Sequence, residues 1–178
     1  MTDPFAYLID TLFHLYTVAL LLRFLLQLVR ANFYNPFSRA LVQITDPVLL
    51  PLRRVIPGIG GIDVAALVAM VLVKLIGIWL VLVILDSPYT PVALLAATVY
   101  QLIDLVLLTY IVTIVIQAVI SWINPGVHNP VMSLLHQLNA PLLRPARRII
   151  PPLGGLDLSP LFVLIALQFC RLLLPRLF

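Results

Sequence analysis

The sequence predicts an all-α integral membrane protein with about four transmembrane helices, arranged as two parallel tandem repeats. Hydrophobic residues make up 62% of the chain and charged residues only 10%. Soluble domains carry about 25% charged residues, so this chain has too few polar groups to cover a water-facing surface. Crossing a bilayer takes about 20 mostly apolar residues. Four stretches meet that requirement: residues 10–30, 64–85, 102–122 and 158–178.

An internal repeat is the second observation behind this prediction. Residues 47–63 and 141–157 both contain prolines, an arginine pair and then Gly-Gly-x-Asp, at an offset of 94 positions. We divide the chain into a first repeat at 7–85, a linker at 86–100 and a second repeat at 101–178. Each repeat has two spans, so the copies enter the membrane in the same sense, as parallel helical hairpins.

The loop inside each hairpin is predicted to begin with a short amphipathic helix. Asn35 and Asn129 are good N-caps, and Pro36 and Pro130 follow them where a missing N–H loses no hydrogen bond. Apolar residues recur at helical spacing over residues 36–45, which indicates one buried face.

A second short segment follows, and its prolines decide its expected shape. It begins near Pro47, and Pro51 removes one backbone hydrogen bond and bends it. Pro57 then ends any helix. The second repeat carries equivalent prolines at Pro141, Pro145 and Pro151. The segment is too short to span the bilayer, so we expect it either to lie at the membrane interface or to dip into the membrane and return.

The Gly-Gly-x-Asp motif is interpreted as a turn that precedes a helix. Gly60 and Gly61 permit a tight reversal with positive φ. Asp63 then stands where the second span needs an N-cap. The second repeat has the same motif at Gly154, Gly155 and Asp157.

The basic residues predict the orientation of the chain. Seven arginines lie in or beside the two hairpin loops: Arg30, Arg39, Arg53, Arg54, Arg144, Arg147 and Arg148. Residues 86–101 contain no Lys or Arg, so the positive-inside rule places both loops in the cytoplasm and both termini outside. Arg171 and Arg176 oppose this orientation, and we expect them to reach the outer headgroups.

The loop arginines have two interpretations. Each Arg beside an anionic leaflet is worth about 1 kcal/mol, which favours anchoring on lipid. Alternatively, the duplicated pairs form one cytoplasmic face that docks an acidic partner. The residues concerned are Arg53, Arg54, Arg144, Arg147 and Arg148.

Polar residues inside the spans are the second candidate site. Arg23 and Lys74 each cost about 2.5 to 3.5 kcal/mol at such a depth. Their counterparts in the second repeat are Gln117 and Gln168, so a polar group recurs while the charge does not. Either these side chains form interior hydrogen bonds, or they line a path for an ion or solute.

Few carboxylates are available for chemistry, since the chain contains no glutamate. Asp10 and Asp104 lie roughly 20 Å of helix from Arg23 and its counterpart, so we expect them to be poor partners within their own helices. Asp46 precedes Pro47 and is interpreted as a helix-start residue.

Nothing in the sequence predicts a metal site, a cofactor or catalysis. His14, His128 and His136 show no ligand spacing. Cys170 is the only cysteine, which excludes an internal disulfide. We therefore expect neither an enzyme nor a nucleic-acid-binding protein.

The loop motifs resemble the signature of the YggT family, also called YlmG. The first is Asp-Pro-Val-Leu-Leu-Pro-Leu-Arg-Arg over residues 46–54, followed by Pro-Gly-Ile-Gly-Gly-Ile-Asp over 57–63. Residues 141–148 and 151–160 carry the same pattern, so the resemblance covers nearly the whole chain, as in two-repeat bacterial members. The two copies differ at two positions. Leu50 of the first copy corresponds to Arg144 of the second, and Ala140 replaces the aspartate that the family pattern favours.

The resemblance implies a small, non-enzymatic membrane protein. Family members of bacteria and plastids are linked to membrane-complex assembly, including b-type cytochrome maturation in plastids, to division and nucleoid organisation, and to osmotic tolerance. The leading hypothesis is an inner-membrane scaffold or assembly factor whose basic loops engage a partner membrane protein or anionic lipid.

Two other hypotheses stay open. One is an ion-homeostasis or osmotic-stress protein with a polar path near Arg23, Lys74, Gln117 and Gln168. That protein would be a homo-oligomer, because four spans enclose little space. The other is a subunit of a larger redox or transport complex.

Overall fold

The computed structural model describes residues 3–31, 35–123, 129–149 and 157–178, and this part of the chain is helical. Its six α-helices, without a β-strand in the described ranges, are α1 (Pro4–Leu28), α2 (Pro36–Val55), α3 (Val64–Ile84), α4 (Pro91–Ile123), α5 (Pro130–Ile149) and α6 (Ser159–Leu173). A 3₁₀ turn, Leu174–Arg176, continues α6.

Four of these helices, α1, α3, α4 and α6, are long and apolar enough to cross a membrane. The predicted number of spans is confirmed, but two of their boundaries differ. Asp3 accepts hydrogen bonds from the N–H groups of Phe5 and Ala6, so α1 begins at Pro4 instead of residue 10. Helix α4 begins at Pro91, within the predicted linker.

The loop helices α2 and α5 correct the expected division into two short segments. Each is one 20-residue helix that continues through two prolines. Pro47 and Pro51 are exposed, as are Pro141 and Pro145. Prolines four residues apart share one helix face, so the carbonyls that lose an N–H partner also face outward. Each helix therefore tolerates its prolines without leaving a buried carbonyl unpaired.

The starts of α2 and α5 and the end of α2 confirm the predicted asparagine caps and the predicted proline stop. Asn35 accepts a hydrogen bond from the Phe37 N–H at 2.8 Å, and Asn129 accepts one from Val131 at 3.0 Å. Helix α2 ends at Val55, shortly before Pro57. The sequence signals thus located both ends of the helix, although they did not predict its continuity.

The predicted glycine turn is present in the first repeat. Ile59 and Ile62 exchange backbone hydrogen bonds of 3.1 and 2.9 Å across Gly60 and Gly61. These glycines have φ values of 61° and 84°, a region that side chains other than glycine's rarely adopt. Pro151, Gly154 and Gly155 of the second repeat lie outside the described residues.

Helix packing follows the order of the chain. Helix α1 lies along α3 and α4 along α6, while α2 contacts the first pair and α5 the second. Contacts between α3 and α4, and between α1 and α5, join the two halves. The buried core includes Leu20, Leu49 and Ala66, none of which is exposed.

Gly77 sets the separation of α1 and α3. A Cβ atom at this position would lie 2.7 Å from the Phe13 Cβ, closer than two carbon atoms can pack. Absence of a side chain at residue 77 therefore lets the two spans approach.

We predict that Gly77→Ala destabilises the protein by about 1 to 3 kcal/mol, because the new methyl group forces α1 and α3 apart. Thermal unfolding in detergent measures the effect. Leu72→Ala, at an exposed position of the same helix, is the control and should change stability little. An unchanged melting temperature for Gly77→Ala would contradict the close approach.

Candidate functional site

Arg23 forms the first buried polar cluster. The residue is 5% exposed, and its Nη1 donates to Thr45 Oγ1 at 2.5 Å, Asp46 Oδ1 at 2.6 Å and the Val42 carbonyl at 3.1 Å. Each acceptor belongs to α2, so one guanidinium fastens the loop helix to the span. The pairing with Asp46 neutralises a charge that is costly in apolar surroundings.

Asp46 is therefore not the helix-start residue that the sequence suggested. It lies inside α2 and faces α1, because α2 continues through Pro47. The expectation that Arg23 has no carboxylate partner within its own helix agrees with this arrangement, since its partner comes from the next helix.

Gln117 holds the equivalent position in the second repeat, where the cluster is uncharged. Its side-chain oxygen accepts from Asn139 Nδ2 at 2.8 Å, and its nitrogen donates to His136 Nδ1 at 3.0 Å. Thr113 donates to Asn139 Oδ1 at 2.9 Å. An amide nitrogen can only donate, so in this contact His136 Nδ1 is the acceptor.

The two clusters occupy equivalent positions, since Arg23 and Thr45 correspond to Gln117 and Asn139 at the 94-residue offset. Asp46 corresponds to Ala140, so the second repeat lacks both the cation and its carboxylate. Such a paired difference keeps each buried site electrically neutral. Both differences are visible in the sequence. The contact between the cation and the carboxylate was not predicted, because α2 was expected to break at Pro47.

The turn after α2 contains the second cluster. Asp63 is 7% exposed and accepts from Arg53 Nη2 at 2.5 Å and Nε at 3.1 Å. The same carboxylate accepts from the Ala66 N–H at 3.2 Å, which confirms the predicted N-cap of α3. Arg53 also donates to Gln27 at 3.2 Å. This cluster joins the ends of α1 and α2 to the start of α3.

The second repeat has the same contact in a more exposed form. Arg147 Nε donates to Asp157 Oδ2 at 2.8 Å, and both side chains are more than one-third exposed. Asp157 accepts from the Ser159 N–H at 3.0 Å. The N-cap of α6 is Leu158 and not Asp157 as predicted, so Asp157 lies one residue before the cap.

These contacts give the two members of each arginine pair different surroundings. Arg53 and Arg147 are internal ligands of Asp63 and Asp157, and they hold the loops in shape. In each pair only the second arginine, Arg54 or Arg148, lacks a carboxylate partner among the described residues. The two members of a pair therefore have different roles.

The third cluster consists of one ion pair in each repeat, and each pair joins two long apolar helices. Lys74 Nζ is 3.9 Å from Asp10, and Arg171 donates to Asp104 at 2.5 and 3.0 Å. Arg171 is thus bound to a neighbouring helix, which corrects the expectation that it reaches the outer headgroups.

The cation of this third cluster is displaced by one helical turn between the repeats. Arg171 corresponds to Gly77, where the Phe13 side chain leaves no room, so the first repeat places its cation at Lys74 instead. Gln168, the counterpart of Lys74, is exposed.

Six cations without a carboxylate partner remain among the described residues, and all six are exposed: Arg30, Arg39, Arg54, Arg144, Arg148 and Arg176. The first five lie in or beside the loops. We call these five residues the arginine face.

The described residues contain no group of three or more His, Cys or Asp side chains that could hold a metal ion. His128 lies outside these ranges, and Cys170 is exposed. The chemistry visible in the described ranges is therefore charge pairing and hydrogen bonding.

Comparison with known proteins gives one family and several relatives. The sequence model of the CCB3/YggT family matches residues 2–84 and again residues 96–178. An uncharacterized protein of Pseudomonas aeruginosa is 43% identical, with 94% of this chain and 86% of that protein covered. The uncharacterized protein YggT of Escherichia coli K12 is 38% identical, with 93% and 86% covered. No solved structure matches.

We predict that Asp46→Ala destabilises the protein by about 3 kcal/mol, because Arg23 then keeps a buried charge without its carboxylate. The triple variant Arg23→Gln, Thr45→Asn, Asp46→Ala removes the buried charge and recreates the Gln–Asn pair of the second repeat, so it should recover part of that loss. Unfolding in detergent by denaturant titration measures both. Equal losses in the single and triple variants would contradict pairwise neutrality.

We also predict a pH effect at the Arg147–Asp157 contact. Burial raises the pKa of Asp157, but hydrogen bonds from Ser159 and Arg147 outweigh burial and hold that pKa below its usual range. The stabilisation is therefore complete above the ordinary aspartate pKa of about 3.9 and is lost as the pH falls through the lowered value. Unfolding measured against pH for the native chain and Asp157→Asn should differ at neutral pH and converge in acid.

Proposed function

This chain belongs to the CCB3/YggT family, and we propose that it is a non-enzymatic scaffold or assembly factor of the bacterial inner membrane. Its two basic loops face the cytoplasm and engage a partner membrane protein or anionic lipid. The partner is recognised by negative charge, since the loops offer arginine and no free carboxylate among the described residues.

The partition of charge carries this proposal. Five of the seven aspartates bind a cation within the chain, and Asp3 caps α1. The arginine face keeps its full charge, and the chain has a net charge of +4. Complementary charge steers association and selects partners, so an uncompensated basic surface favours an acidic one.

The repeated contacts support two parallel hairpins as the architecture of this scaffold. Helix α1 pairs with α3 as α4 pairs with α6, and the Arg53–Asp63 contact recurs as Arg147–Asp157. Both hairpins then present their basic loops on the same side of the membrane.

An ion-homeostasis or osmotic-stress role is the alternative. It requires a polar path along Arg23, Lys74, Gln117 and Gln168. The first three are buried and held by partners on neighbouring helices, and Gln168 alone is exposed. Solute or ion flux into liposomes, compared between the native chain and Lys74→Gln, distinguishes this role from the scaffold.

We predict that Arg54→Glu with Arg148→Glu abolishes recovery of the partner, because these arginines have no carboxylate partner among the described residues. In-cell crosslinking followed by quantitative mass spectrometry, at matched membrane levels, measures recovery. Arg176→Glu, at the other end of α6, is the control and should leave recovery unchanged.

A partner that is recovered equally with the Arg54→Glu, Arg148→Glu variant would contradict the docking role. Absence of any enriched partner in either sample would favour the permeation alternative. A second variant, Arg53→Glu with Arg147→Glu, should instead lower the melting temperature, since these residues hold the turns.

A further inference from the structure

An apolar cavity of about 400 Å³ lies between α1, α4 and α5. Residues along α1 from His14 to Leu26 form one wall, and residues along α4 from Leu105 to Ile116 form another. The two threonines in this lining already donate within the protein, Thr109 to the Leu105 carbonyl and Thr113 to Asn139. The lining of this cavity therefore favours an apolar occupant.

A second cavity of about 350 Å³ is lined by the C-terminal half of α5 and is basic. Arg144 and Arg148 line this cavity together with Gln137 and Pro141 of α5 and with Val29, the C-cap of α1. Both arginines belong to the arginine face, and neither pairs with a described carboxylate. The cavity therefore offers two guanidinium groups to an anion.

The two cavities adjoin along one face of α5. Leu134 and Leu138 line the apolar cavity, and Pro141, Arg144 and Arg148 continue the same helical stripe at steps of three or four residues. On α1 the lining passes from Leu26 to Val29, which is one turn farther toward the loops. An occupant of both cavities would have an apolar body and an anionic end.

The length of the apolar cavity matches one leaflet. The stretch from His14 to Leu26 covers about 18 Å of helix, and half of the hydrocarbon core is about 15 Å. Because Val29 lies just beyond the C-terminal end of α1, the basic cavity is at the depth where headgroups begin.

We infer that the combined site holds one anionic phospholipid of the leaflet that the loops face. An acyl chain fills the apolar cavity, and the headgroup phosphate binds Arg144 and Arg148, whose planar forks match phosphate oxygens. This inference rests on the proposed function, because it uses two residues of the arginine face as the contact. It assigns them to lipid and leaves Arg54 for a protein partner.

The charge of the site argues against a second copy of this chain as occupant. Another copy would bring its own unpaired arginines toward Arg144 and Arg148, and like charges repel. The first repeat does not build the same site, since Leu50 stands where the second repeat has Arg144. The expected stoichiometry is therefore one lipid per chain.

The test uses the full chain, purified in detergent and examined by native mass spectrometry with added lipids of matched acyl chains. The probes are phosphatidylglycerol, phosphatidylcholine and diacylglycerol. Phosphatidylglycerol should bind as a single tight copy, phosphatidylcholine more weakly and diacylglycerol least.

Three variants distinguish the headgroup contact, general surface charge and the acyl-chain contact. Arg144→Gln with Arg148→Gln should weaken phosphatidylglycerol binding about thirtyfold, at roughly fivefold for each arginine. Arg39→Gln with Arg54→Gln removes the same charge outside the site. This control should change phosphatidylglycerol binding by less than about threefold, which is smaller than the effect of one arginine in the site. Val112→Trp fills the apolar cavity and should weaken all three lipids together. Melting temperatures verify that each variant is folded.

Equal weakening by the two arginine-pair variants would overturn the site in favour of general surface charge. Unchanged binding to Val112→Trp would also overturn it, because the acyl chain would then lie elsewhere. A native chain that forms a dimer and binds no lipid would also overturn the site. The assay contains no partner protein, so its outcome is independent of the crosslinking experiment.

Discussion

Arg23 donates three hydrogen bonds from α1 to α2, and the arrangement of the first repeat depends on this contact. A guanidinium in apolar surroundings needs a carboxylate, and Asp46 supplies it from a helix that would otherwise only rest against the span. The same constraint operates at Asp63, at Lys74 and at Arg171. Each of these pairs joins a span to a neighbouring helix or to the turn beside it. Pairing of charge thus fixes where the loop helices lie, and it also leaves a defined set of arginines unpaired.

The second repeat shows that neutrality, not charge itself, is what these buried positions require. Gln117, Asn139 and His136 replace an ion pair with neutral hydrogen bonds at the same place. In the ion pairs that join two spans, Arg171 of the second repeat replaces Lys74 of the first at a position one turn away, because Gly77 has no room for a side chain. The halves are therefore alike in framework and different in surface. Arg144 belongs only to the second half, and it makes the basic cavity beside α5 unequal to its counterpart.

Much of this framework was predictable from the sequence. The four spans, the asparagine caps at Asn35 and Asn129, and the turn at Gly60 follow from local rules that tertiary packing did not override. The continuity of α2 and α5 was not predictable, since the cost of an interior proline depends on whether its face is exposed. Ligands of Arg23 and Arg53 were missed for the same reason, because each is brought close by a helix whose course the sequence did not reveal. Neither cavity could be foreseen, since both lie between elements that are far apart in the chain.

The central claim is that the two arginines of each loop pair differ, one held internally and the other free. Arginine-directed dicarbonyl labelling of intact membranes, quantified by mass spectrometry, tests this claim most directly. We predict that Arg54 reacts several times faster than its neighbour Arg53, and that Arg23 is the slowest of all. Equal reactivity of Arg53 and Arg54 would contradict the partition of charge on which the proposed scaffold depends.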